Sequence, residues 1–221
     1  MKNLIVVGDS FCSAATAWPG QLADLLKVEL ICQGFPGSSW WPVRQFLMNI
    51  DQQKIDNAEA IIFCHTDTTR LLNTKLHQGK FSRHNLDTSD EEQLAVKLYY
   101  KYVFDETFAY WTEQMWFNEV STKFGNLKLI HLHCFPWSLK HMHLLKGLNI
   151  QPNLTALSLN EIDDDPFILS VDARHNHLNE FNNRELARQL SEIIKNYSGD
   201  SVQLDIDKFQ LKTKKWFDWG I

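Results

Sequence analysis

Cysteines are few in this sequence, and long hydrophobic runs are missing altogether. The 221 residues include only four cysteines, and no two of them form a CxxC pair: Cys12, Cys32, Cys64 and Cys134. Each lies at or just past the end of a predicted strand, so we expect reduced core residues instead of a disulfide framework. Polar or charged residues interrupt every apolar run before membrane-spanning length, and the first run is too short for a signal-peptide core. We therefore predict a cytoplasmic protein with no membrane partner.

An excess of positive charge is also absent, as are the common cofactor motifs. The formal net charge is -5, which gives no electrostatic reason to expect nucleic acid as a partner. Neither GxGxxG nor GxxxxGK[ST] occurs, so nucleotide binding has no support from a motif. His131 and His133 precede Cys134, but no second ligand pair with metal-like spacing accompanies them, and the His141–His143 pair is equally isolated. We predict no metal and no other cofactor.

Strand-like and helix-like segments alternate along the chain. Short apolar runs predict five buried strands at residues 4–7, 28–32, 60–64, 127–132 and 167–171. Helix-like stretches lie between and after them, at residues 17–26, 42–50, about 90–123 and 182–195. This alternation predicts an α/β fold with three flavodoxin-like layers, in which helices cover both faces of a parallel sheet of about five strands.

Two segments depart from this alternation. A helical and loop insertion is predicted at about residues 74–124 within a domain that spans residues 1–197. Its apolar residues recur every three or four positions, a spacing typical of core packing, although the stripe could instead line a substrate cleft: Leu94, Leu98, Tyr102, Phe108, Trp111, Met115 and Trp116. Residues 198–221 form an aromatic extension, with Trp216, Phe217 and Trp219 near its end. We expect this extension to pack on the domain or on another subunit, as in a homo-oligomer or assembly.

Polar residues collect where the predicted strands end. In an open parallel sheet the carboxyl ends of the strands share one edge, so these residues are expected to converge there. They are Ser10 in GDSF, Gly34 and Gly37 in QGFPGSSW, His65, Thr66 and Asp67 in FCHTDTTR, and Asp172, His175 and His177 in VDARHNHLN. Turn chemistry alone could explain the first group, because Gly8 suits a tight turn and Asp9 or Ser10 can cap a following helix.

These motifs, in this order, resemble the serine block, the glycine block and the last block of the SGNH or GDSL hydrolase family. The resemblance implies a nucleophilic Ser10, a histidine base and an orienting Asp172. His175 has the family's usual spacing from Asp172, whereas His177 leads into the last helix with Asn179 as its cap. We favour His177 and keep His175 as the alternative base.

The resemblance also implies an oxyanion hole. The backbone amides of Ser10 and Gly37 are its expected donors, helped by the positive end of a helix after Ser10. The family has a further block, the third, in which an asparagine side chain is the usual additional donor. Here the corresponding residues are Cys64-His65-Thr66-Asp67, with threonine in the asparagine position. Thr66 or His65 is the expected substitute.

Two functions are compatible with these motifs, and we favour the first. The first is a serine ester hydrolase, with a small-molecule or carbohydrate ester as substrate. The alternative is a weakly active or inactive SGNH-like module that serves as a binding or structural component of an assembly. The replaced asparagine and the aromatic extension favour the alternative.

Overall fold

A six-stranded parallel sheet forms the centre of the protein. The structure is a computed structural model, and it describes residues 2–37, 39–72, 91–136, 143–158 and 177–211. The strand order is β2-β1-β3-β4-β5-β6, and every neighbouring pair is parallel. The strands are β1 (Asn3–Gly8), β2 (Glu29–Gly34), β3 (Ala58–His65), β4 (Leu129–His133), β5 (Leu148–Gln151) and β6 (Ser201–Gln203).

Six α-helices accompany the sheet in the described ranges: α1 (Trp18–Leu26), α2 (Trp40–Asn49), α3 (Gln52–Asp56), α4 (Glu91–Tyr102), α5 (Glu106–Phe124) and α6 (Glu180–Lys195). Side chains cap several of them as their sequences predict. Asn179 caps α6 by accepting a 2.7 Å hydrogen bond from the amide of Asn182, and Asp105 caps α5 in the same way.

The two faces of the sheet carry separate hydrophobic cores. Leu4 and Val6 of β1 pack into the core on the face that α1 and α6 cover, whereas Ile5 and Val7 pack into the core that includes residues of α2 and α5. This division follows from the two-residue period of a strand, which sends successive side chains to opposite faces. The predicted three-layer α/β architecture is confirmed.

Two of the six strands were not predicted. β5 and β6 have only four and three residues and include polar side chains, so neither shows a long apolar run. β6 lies within the segment predicted to be an extension, and Leu204 and Phe209 after it belong to the core. The sheet therefore continues past residue 197. The strand predicted at 167–171 and the aromatic residues Trp216, Phe217 and Trp219 lie outside the described residues.

The predicted apolar stripe is not core packing, with one exception. Its members on α4 and α5 are exposed, and Tyr102 reaches 69% exposure, whereas Trp116 is only 2% exposed. The exposed members are Leu94, Leu98, Tyr102, Phe108, Trp111 and Met115. The spacing of three or four residues was followed across the break between α4 and α5, so these residues do not share one helix face. The buried face of α5 carries Glu113, Trp116, Phe117, Val120 and Phe124.

All four cysteines are free, as predicted. Cys12, Cys64 and Cys134 are buried, and Cys32 is half-buried against the same core. Burial raises the pKa of Cys32 to about 12 and also raises the pKa of Cys64 and of Cys134. These three thiols are therefore neutral.

Candidate functional site

Ser10 follows β1 in a tight turn at the carboxyl edge of the sheet. Gly8 ends the strand so close to β3 that a Cβ atom there would lie 2.4 Å from Cys64 Cβ. Ser10 begins a three-residue 3-10 helix, and α1 starts only at Trp18. The helix whose positive end was expected to assist Ser10 is therefore a single short turn, and the expected dipole contribution from α1 does not arise at this position.

His177 lies against the Ser10 hydroxyl. Its Nε2 atom is 2.9 Å from Ser10 Oγ, which is within the hydrogen-bond reach required of a base and its nucleophile. The imidazole stacks on Phe11 with ring centroids 4.4 Å apart, and only 7% of the residue is exposed. The Asn179 cap of α6 fixes the backbone two residues later. Stacking and capping together hold the ring at the serine.

Asp9 anchors the turn that carries Ser10. Its fully buried carboxylate accepts hydrogen bonds from the Phe11 amide at 3.0 Å and from Thr66 Oγ1 at 3.2 Å. Arg70 Nη1 forms an ion pair with the same carboxylate at 3.3 Å, and Cys134 Sγ donates to it at 3.2 Å. These donors come from the first, third and fourth strand ends, so Asp9 connects the turn to the rest of the edge. The sequence pattern marks Asp9 only as a turn residue and does not single out Arg70.

Gly37 lies in the loop between β2 and α2, as expected. Its φ of 71° is a left-handed backbone conformation that favours glycine. The loop joins the serine edge through Phe35, whose amide donates to the Gly8 carbonyl at 2.9 Å. Gly34, at the end of β2, pairs with Gly8 in the sheet register, and a Cβ atom on it would lie 2.6 Å from the Asp9 carbonyl oxygen. The glycine block therefore lies at the same edge of the sheet as Ser10.

Thr66 and His65, the expected third-block donors, both have partners inside the protein. The Thr66 hydroxyl donates to Asp9, so it would have to exchange that hydrogen bond to serve an oxyanion. His65 Nε2 lies 2.8 Å from His131 Nδ1 in the core. Their oxyanion roles stay predictions.

His65, His131 and His133 form a buried group, here called the histidine cluster. His131 Nε2 lies 3.1 Å from the Lys146 carbonyl, and a carbonyl can only accept, so His131 donates there. In a neutral ring Nδ1 then accepts from His65 Nε2–H. Burial lowers the pKa of His131 to about 3, with His133 as a further cause. Burial and the two neighbouring rings also lower the pKa of His65.

A small pocket lies between the ends of β1 and β3 and the aromatic side chains of α2 and α5. Its lining includes Gly8, Thr66, Trp40 and Trp116. The two indole rings stack in parallel with centroids 5.6 Å apart. Glu113 lies one helical turn before Trp116 and is 3% exposed. Burial raises the pKa of Glu113 to about 8, with the nearby Asp67 as a further cause. This group was not predicted, because a lone glutamate on an aromatic helix carries no signal of its own.

The structure brings Ser10 and His177 together, with Gly37 and Thr66 at the same edge. Asp172 and His175 lie outside the described residues. Within the described ranges, no three His, Cys, Asp or Glu side chains are grouped so that they could hold a metal ion. None of the described helices combines the length and apolar character that a membrane span requires.

The chain matches no protein-family model, no curated protein and no solved structure. Function is therefore inferred from the geometry of the site and from the resemblance of its motifs.

Proposed function

We propose that the protein is a serine ester hydrolase in which Ser10 is the nucleophile and His177 the general base. The observation that carries this proposal is the 2.9 Å separation of His177 Nε2 and Ser10 Oγ. A serine hydroxyl is a weak nucleophile at neutral pH until a neighbouring imidazole accepts its proton. Asp172, which the family resemblance pairs with the base, completes the proposed triad by orienting the imidazole.

The proposed reaction has two halves. Ser10 Oγ attacks the ester carbonyl carbon while His177 Nε2 takes the hydroxyl proton. The tetrahedral intermediate collapses, the alcohol leaves with that proton, and an acyl-serine remains. Water then attacks the acyl-serine with His177 again as base, which releases the acid and restores Ser10.

The oxyanion of each tetrahedral intermediate requires preorganised donors. The backbone amides of Ser10 and Gly37 are the proposed pair. The left-handed conformation of Gly37 supports this assignment, because a residue without a side chain leaves room for the substrate carbonyl.

A fluorophosphonate probe tests the nucleophile directly, because it reacts only with an activated serine. We expect the wild-type protein to be labelled on the peptide containing Ser10 and the Ser10→Ala variant to be unlabelled. Ser13→Ala is the matched control, because Ser13 lies in the same turn and donates to the Ser10 carbonyl at 3.0 Å. Its labelling should persist. An unlabelled wild-type protein, or a labelled Ser10→Ala variant, would refute the proposal.

A second candidate function is a non-catalytic binding or structural component of an assembly. Two observations favour it: the Thr66 hydroxyl is engaged by Asp9, and large apolar side chains on α4 and α5 are exposed, among them Tyr102, Phe108, Trp111 and Met115. Exposed apolar patches are typical of interaction surfaces. The same labelling experiment separates this candidate from the hydrolase.

A further inference from the structure

Arg70 follows β3 and contacts two groups beside the Ser10–His177 pair. Its Nη1 atom lies 3.3 Å from Asp9 Oδ2, and its guanidinium lies over the ring of Phe135, 5.4 Å from the centroid. The side chain is only 11% exposed. A buried cation is nearly always paired, and a desolvated guanidinium is attracted to the face of an aromatic ring. The two contacts therefore hold the guanidinium in one place.

The first contact leads to the turn that carries Ser10. Asp9 directly precedes Ser10 and is fully buried, and its Oδ1 atom accepts a 3.0 Å hydrogen bond from the Phe11 amide of that turn. The carboxylate therefore joins the turn, through Oδ1, to Arg70, through Oδ2. Loss of the guanidinium would leave a buried charge without this partner, which is strongly unfavourable. A turn that rearranges to relieve this cost moves the Ser10 hydroxyl.

The second contact leads to the imidazole of His177. Phe135 meets the ring of Phe11 edge to face, with centroids 5.9 Å apart and an angle of 87° between the planes. Phe11 stacks on His177 with centroids 4.4 Å apart and an angle of 14°. Both arrangements are favoured geometries of ring pairs. A shift of Phe135 therefore changes the support on which the imidazole rests.

We propose that Arg70 is a positioning residue for catalysis. Its guanidinium holds the Ser10 turn through Asp9 and the His177 ring through the two phenylalanines, so that Ser10 Oγ and His177 Nε2 stay 2.9 Å apart. A base works only within hydrogen-bond reach of its proton, and a displacement of about 1 Å can lower a rate by about 10²-fold. This inference rests on the proposed function, since it assigns a residue that supports the same pair.

Inactivation by the fluorophosphonate probe measures the effect as a rate. Arg70→Met removes the cation but keeps an unbranched side chain. We expect its inactivation rate constant at saturating probe to fall by about 10²-fold. The probe concentration that gives half of the maximal rate should change little, because positioning acts on the reaction and not on binding.

Arg44→Met is the matched control, because Arg44 makes the same two kinds of contact on another part of the fold. It pairs with Glu119 of α5 at 2.6 Å, and its guanidinium lies 5.3 Å from the ring centroid of Trp41 on α2. This variant should be inactivated as fast as the wild-type protein. A fall as large as that of Arg70→Met would overturn the proposal.

Two milder variants keep the test decisive if Arg70→Met does not fold. Arg70→Lys keeps a cation for Asp9 but not the planar group over Phe135. Phe135→Leu removes the ring that joins Arg70 to Phe11. Each interrupts one of the two contacts, so each should slow inactivation by about tenfold. Wild-type rates in both variants would overturn the proposal.

A spectroscopic signature tests the positioning without requiring catalysis. The ¹⁵N chemical shift of His177 Nε2 reports its contact with Ser10 Oγ, so Ser10→Ala should change this shift. In the Arg70→Lys and Phe135→Leu backgrounds the same substitution should change it less, because the two atoms are already farther apart. Equal changes in all backgrounds, or no change in any, would overturn the role of Arg70.

The outcomes separate the two proposals. If the probe labels wild-type Ser10 and the Arg70 variants react as fast, the hydrolase stands and only the role of Arg70 fails. If the wild-type protein is unlabelled but the shift change is smaller in the Arg70→Lys background, the hydrolase fails, and Arg70 is supported as the residue that positions Ser10 and His177.

Discussion

His177 and the histidine cluster are both nearly inaccessible to solvent, yet their ring nitrogens face different partners. His177 Nε2 faces the hydroxyl of Ser10, whereas His65 and His131 bond to each other and to a backbone carbonyl. A ring beside a hydroxyl can take a proton from it. Rings whose nitrogens are used inside the core, and whose pKa burial lowers, stay neutral and stabilise the fold. The same residue type therefore has two roles, which the surrounding contacts decide.

The largest expected effect separates the two roles by activity. His177→Ala should lower kcat/KM for an ester substrate by about 10⁴-fold, because triads lose rate enhancements of this order when a member is altered. Hydrolysis of a chromogenic acetate ester measures the loss. His143, which is exposed, supplies the control, since His143→Ala should retain full activity.

A competing substitution tests the choice of base. If His175→Ala abolishes activity and His177→Ala does not, the base is His175 and the 2.9 Å contact of His177 with Ser10 is structural. Circular dichroism of each variant shows whether its fold is retained.

The next effect separates the two roles by stability. His131→Ala should lower the free energy of unfolding by about 2–4 kcal/mol, because it leaves a cavity and removes the acceptor of His65 Nε2–H. Urea denaturation measures this change. His177→Ala, at the edge of the core, should cost less. An equal loss in the two variants would contradict the distinction between the site and the histidine cluster.

Acid should destabilise the protein through the histidine cluster. The folded-state pKa of His131 is lowered to about 3, and that of His65 is lowered as well, so below about pH 6.5 the unfolded chain binds more protons than the native state. Stability then falls as the pH drops from about 6.5 towards 3, by up to about 1.4 kcal/mol per pH unit for each group. Denaturation midpoints at several pH values give this slope, and His131→Leu should reduce it.

Glu113 should act in the opposite direction. Its folded-state pKa is raised from 4.5 to about 8, so between these two pH values the native state holds a proton that the unfolded chain has lost. Stability therefore rises as the pH falls from about 8 to about 6.5, before the histidines begin to lower it. Glu113→Gln should remove this rise. A wild-type protein whose stability stays constant over that interval would contradict the buried, uncharged glutamate.

Local patterns predicted β1 to β4 but not β5 and β6, which complete one side of the sheet. β1 to β4 were predicted close to their observed bounds because runs such as Leu4–Val7 are apolar and β-branched. β5 and β6 are too short and polar to stand out, so their pairing is a property of the whole sheet. The prediction that the apolar stripe packs in the core was wrong, because the spacing was followed across residues 103–105, where α4 has ended and α5 has not begun.

The site also has a part that local patterns predicted and a part that they did not. The GDSF motif and the residues leading into α6 pointed to Ser10 and His177 through their resemblance to the SGNH or GDSL motifs, which are short and local in sequence. The ion pair of Asp9 with Arg70 joins positions 61 apart, and Trp40 stacks on Trp116 only because α2 and α5 cover the same face of the sheet. No spacing in one sequence encodes such contacts. The packed fold creates them.

The smallest expected effect lies at the end of the histidine cluster. His133 Nε2 donates to Asn149 Oδ1 at 3.2 Å, and both residues are buried. Asn149→Leu keeps the volume but removes the acceptor, so the free energy of unfolding should fall by about 1 kcal/mol. A double-mutant cycle with His133→Leu, measured by urea denaturation, isolates the pair, and its coupling energy should be about 0.5–1.5 kcal/mol. Fluorophosphonate labelling of Ser10 should be unchanged in all three variants, because this hydrogen bond belongs to the core and not to the serine. A coupling energy near zero would contradict a stabilising role for the pair, and a loss of labelling would contradict the separation of the two groups of histidines.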